Sequence, residues 1–100
     1  MKEQLHKAWN EGYDLQKAIT ASKGSVFEEE TTFIKMLDAV EVGNGIRCAA
    51  FITLLCMEYG ILLPGEIRTI SECRDNWKAV AQSYIAGIMG ENRVEELDAK

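Results

Sequence analysis

The sequence predicts an all-α fold: a small up-and-down bundle of four to five helices around a central apolar helix at about 46–59. Apolar residues recur at three- and four-residue steps along most of the chain, which is the helical period. A single proline falls within the 100 residues, and Gly24, Gly43, Gly60 and Gly90 follow periodic segments, where helices stop. No alternating run is long enough for a strand. With 47% apolar and 27% charged residues, the balance is that of an ordinary folded domain, and the length predicts one domain over 1–100.

The first helix is expected from about Lys2 to Ala21. Leu5, Ala8, Trp9, Gly12, Leu15 and Ile19 share one face. Gly12 weakens the helix interior by roughly 1 kcal/mol relative to alanine, unless it serves a close helix approach. The second helix opens with Ser25-Val26-Phe27-Glu28, the spacing of a reciprocal capping box, and places Glu28, Glu29 and Glu30 in its first turn. Its apolar stripe reads Val26, Phe33, Ile34, Leu37 and Val40, with Gly43 as the stop. After Asn44-Gly45, a third helix runs from about Ile46 to Tyr59 and is apolar almost all round, so it is placed at the centre.

Ile61-Leu62-Leu63 lead into Pro64, a favoured first helical residue. From there a fourth helix is expected to reach Met89, with Ile67, Ile70, Arg74, Trp77, Ala81, Tyr84 and Ile88 in a heptad seam and a candidate break at Asp75-Asn76. Asn92-Arg93-Val94-Glu95 reads as the cap of a last short helix. Arg74 in the seam and Glu30 in the second helix's stripe admit two readings. Either they pair across the bundle, or Glu30 sits at a wet helix end and Arg74 turns outward.

The polar N-terminus lacks the apolar stretch of a signal peptide, and the apolar run Cys48–Met57 is too short to span a bilayer, so a cytoplasmic protein is expected. Three cysteines without C-x-x-C spacing read as small buried hydrophobes, neither a disulfide framework nor a zinc site. Glu11-x-x-Asp14 and Glu72-x-x-Asp75 have the helical spacing that lets two carboxylates share a divalent cation, as in a metal-dependent nucleotide hydrolase. The neighbouring E-x-x-E pair of such enzymes is missing. Glu3-x-x-His6 has di-iron spacing, but the chain has one histidine. No phosphate-cradling glycine loop follows any segment. The expectation is therefore a non-enzymatic protein with no cofactor.

The net charge of −5 is uneven: residues 25–43 hold five acids against Lys35. No basic face exists for direct nucleic-acid binding. Phe27, Glu28, Glu29, Glu30, Asp38 and Glu41 form the candidate partner-binding surface, since carboxylates on a rigid helix compete with phosphate for basic protein grooves. The plainer reading is an ordinary solvated helix face. An alternative role is a helical regulatory or oligomerisation module, self-associating through exposed parts of Trp9, Tyr13, Trp77, Tyr84 or the Ile61–Leu63 connector.

In size, acidity and helical make-up the chain resembles the small phage-encoded anti-CRISPR proteins of the type I-F inhibitor group. The residues concerned are Phe27-Glu28-Glu29-Glu30, Asp38, Glu41 and the acidic tail Glu91, Glu95, Glu96 and Asp98. The resemblance implies a protein-binding inhibitor acting in the host bacterial cytoplasm, docked on a basic surface of a Cas subunit so that target DNA is excluded. It carries over no catalytic residue.

Overall fold

The computed structural model describes residues 2–23 and 29–90, and these form five helices and no strand. They are α1 (Lys2–Lys23), α2 (Glu30–Glu41), α3 (Gly45–Tyr59), α4 (Ile67–Ser71) and α5 (Trp77–Met89). The expected Ser25–Glu28 capping box, the Gly24 stop and the helix at 92–97 lie outside the described residues. None of the helices is long and apolar enough to cross a membrane.

α1 buries the face its period foretold: Leu5, Ala8, Trp9, Gly12, Leu15 and Ile19 are all buried. Its main partner is α5. The two run in the same direction: the Ser83 hydroxyl donates to the Leu5 carbonyl at 2.6 Å, Trp9 faces Gly87, and Gln16 reaches Gly90. Small residues at four-residue spacing, Ala8 and Gly12 on α1 and Ser83 and Gly87 on α5, let the backbones touch. A Cβ on Gly12 would land on the Tyr84 carbonyl oxygen, and one on Gly87 on that of Trp9. Gly12 thus serves the close approach.

α2 is rotated from the expected stripe. Phe33, Met36, Ala39 and Val40 are buried, while Ile34 and Leu37 are 52% and 39% exposed. Both sets satisfy a helical period, so sequence alone cannot choose between them. Phe33, Met36, Ala39 and Val40 pack into the core, and on the same side Glu29, just before α2, accepts a hydrogen bond from the Tyr59 hydroxyl of α3 at 2.9 Å.

α3 begins at Asn44, whose Oδ1 accepts from the Arg47 N–H at 3.0 Å. It stops at Gly60, which takes φ 68°, and the Ile61 N–H closes back on the Cys56 carbonyl at 2.9 Å. As expected of a central helix, it touches all four others, as does α5. Cys48, Ile52, Leu55 and Cys56 face the core, but the opposite side is open: Ile46, Leu54 and Met57 are 71%, 62% and 73% exposed. Being apolar all round does not bury this helix all round.

The expected long fourth helix is two. After α4 the chain turns through Cys73 (φ 52°) and Asn76 (φ 69°) before α5 begins. The Arg74 N–H closes on the Thr69 carbonyl at 2.9 Å, ending α4 as a helix terminus does. Asparagine tolerates the left-handed region better than most residues, so the break falls where the sequence offers it. It also takes Arg74 out of the seam: its guanidinium pairs with Glu72 at 2.7 Å, both side chains facing solvent, while Glu30 is exposed at the start of α2. The outward reading of Arg74 and Glu30 holds. Ile70, Trp77, Ala81, Tyr84 and Ile88 remain buried.

Candidate protein-docking face

The outer side of α2 presents Glu30, Ile34, Leu37, Asp38 and Glu41, all exposed. At 100° per residue these positions fall within about a third of the helix circumference, beside the buried side that carries Phe33, Met36 and Val40. Three carboxylates therefore share one side of a rigid helix with two aliphatic side chains, Ile34 among them and Leu37 at the edge next to the buried side, and Glu30 in the first turn is favoured by the helix dipole. Lys35 lies beyond the edge of this face.

Of the six sequence-predicted docking residues, Glu30, Asp38 and Glu41 come together here. Phe27 and Glu28 lie outside the described residues. Glu29 does not belong to the outer face: half-buried, it accepts from the Tyr59 hydroxyl and from the Thr32 hydroxyl at 3.3 Å. Its work is to fix α2 on α3. Ile34 and Leu37 were missing from the predicted surface because a branched aliphatic in a periodic stripe reads as core.

Three of the other candidate carboxylates, Glu72, Glu11 and Asp14, have partners of their own. Glu72 accepts from Arg68 at 3.0 Å as well as from Arg74, which holds its carboxyl below the usual range, and the helix ends before Asp75, so Glu72-x-x-Asp75 does not form a helical pair. Glu11 accepts from the Gly65 N–H at 3.0 Å, and Asp14 pairs with Lys17 at 3.4 Å. These α1 residues line an open groove of about 680 Å³ whose other wall is Gly60–Leu63. Among the described residues no three His, Cys, Asp or Glu side chains converge into a metal-holding group.

The chain matches no family model, no curated protein and no solved structure.

The cysteines separate into two kinds. Cys48 and Cys56 are buried; desolvation pushes the Cys48 thiol up to about 11 and raises that of Cys56, whose sulfur lies 3.4 Å from the Tyr84 hydroxyl. Cys73 is exposed, against the expectation that all three are core residues. A thiol reagent added to the folded protein at neutral pH should titrate one group quickly, removed by Cys73→Ser, and the other two only with denaturant. Fast reaction of more than one thiol would contradict the packing around α3. The aromatic residues expected to supply an exposed patch are also mostly interior: Trp9, Trp77 and Tyr84 are buried, and Tyr13 stacks on Trp9 at 5.3 Å.

Proposed function

We propose that this protein is a non-catalytic binding protein that seats the outer face of α2 on a basic protein surface and so blocks a nucleic-acid-binding complex. The observation that carries this reading is the joint exposure of Glu30, Asp38 and Glu41 with Ile34 and Leu37 on one helix side. Carboxylates steer the encounter with a groove lined by lysine and arginine, and the aliphatic pair supplies area whose burial holds the complex once formed. Ile34 lies between these carboxylates and Leu37 at the edge of the face, 52% and 39% exposed, so both offer apolar area to a partner. The resemblance to type I-F anti-CRISPR proteins makes a Cas subunit of that surveillance complex the partner to try.

The test is co-elution with a purified type I-F surveillance complex, followed by a target-DNA binding assay. The intact protein should co-elute and block DNA, with affinity falling as salt rises. Asp38→Lys with Glu41→Lys should weaken binding by about tenfold or more, since both charges change sign in the contact. Full inhibition by that double variant would remove α2 from the interface, and failure of the intact protein to co-elute would remove the partner.

A further inference from the structure

We propose that the protein forms a twofold homodimer in which the outer face of α3 packs antiparallel against the same face of a second copy. Ile46, Ala50, Leu54 and Met57 are all exposed and follow one another at four- and three-residue steps, so they form a single stripe on the side of α3 away from Cys48, Ile52 and Leu55. The polar residue beside it, Thr53, spends its hydroxyl on its own helix, donating to the Ala49 carbonyl at 2.8 Å. Covering the stripe therefore strands no donor. Ala50 near its middle lets a facing helix come close.

The charges at its border select a second copy as the occupant. Arg47 and Glu58 lie along the same edge of the stripe, near opposite ends, and the Arg47 guanidinium lies over the Phe51 ring at 5.3 Å. In an antiparallel helix pair, same-edge positions face each other. A twofold axis near residue 52 then brings Ile46 of each copy against Met57 of the other, and Arg47 of each alongside Glu58 of the other. Opposite charges placed about the midpoint of one stripe make the surface complementary to itself, as an isologous contact requires. A single-helix contact is a small interface, so the dimer is expected in the micromolar range. It uses no residue of the α2 outer face, so self-association and partner binding are read separately.

Sedimentation velocity from micromolar to near-millimolar concentration tests this. The 11.2 kDa chain should pass reversibly to twice its mass. Leu54→Glu, at an exposed position, should leave the circular dichroism spectrum unchanged and weaken dimerisation by at least about tenfold. Arg47→Glu and Glu58→Arg should each weaken it, and the two together should restore it, a rescue that nonspecific apolar sticking does not give. A monomer at every concentration, or a dimer indifferent to Leu54→Glu, overturns the proposal. Charge variants without mutual rescue overturn the antiparallel arrangement.

Discussion

Gly12→Ala and Gly87→Ala should each destabilise the protein by about 2–4 kcal/mol, although alanine is the better helix former. Two effects of opposite sign compete. In a helix interior, alanine is favoured over glycine by about 1 kcal/mol. Against this stands the α1–α5 contact. The new methyl of Gly12→Ala would meet the Tyr84 carbonyl oxygen and lie 3.1 Å from the Ile88 nitrogen; that of Gly87→Ala would meet the Trp9 carbonyl oxygen and lie 3.0 Å from the Tyr13 nitrogen. These obstacles are backbone, so no rotamer change relieves the overlap and the two helices must move apart. Separation loosens the packing of Leu5, Trp9, Ile85 and Ile88 and stretches the hydrogen bond from Ser83 to the Leu5 carbonyl. Overpacking costs about 1–3 kcal/mol where side chains can yield, and more where they cannot, so sterics exceed propensity. The expected readout is a fall in melting temperature of roughly 10–20 °C, beside a near-neutral Gln82→Ala on the exposed side of α5. The double variant should cost less than the sum, because the first substitution has already parted the helices. A rise in stability for either glycine variant would mean that α1 and α5 do not touch through their backbones.

The same contact shows where the sequence is informative. α1 carries one unbroken apolar ridge, so its buried face follows from spacing alone, and a glycine inside that ridge points to a close neighbour without naming it. Helix ends at Gly43, Gly60 and Gly90 are local events with local signals, and all three have positive φ. The break between α4 and α5 is less visible, because a heptad pattern runs straight through Arg74. The left-handed turn at Cys73 and the Arg74–Glu72 pair decide that the chain bends there. Least legible is what lies opposite an element. α3 is apolar almost all round, yet one side has no cover among the described residues. Glu29 stands among acids and looks like one of them, yet its partner hydroxyl on Tyr59 is thirty residues away. The candidate site inherits that limit: its carboxylates are plain in the sequence, its exposed aliphatic residues are not.

The rotation of α2 gives the sharpest contrast between adjacent residues. Met36→Ala should cost about 2–4 kcal/mol, and Leu37→Ala less than about 1 kcal/mol. Met36 is fully buried, so truncation removes its transfer free energy and leaves a cavity between α2 and the core beside Phe33 and Val40. Leu37 is exposed and already pays much of its contact with water, so truncation opens no cavity. The stripe read from sequence, which includes Leu37 and not Met36, demands the reverse order. Urea denaturation of the two variants decides between the two orientations. The contrast also separates folding from docking. If the outer face of α2 meets a partner, Leu37→Ala should weaken that binding while leaving the fold intact, because it removes apolar area from the interface alone. Met36→Ala should lower stability with little effect on affinity under conditions where the protein remains folded. Equal loss of affinity in both variants would mean that the α2 contribution is only structural, and the carboxylates of Glu30, Asp38 and Glu41 would then be ordinary solvated charges.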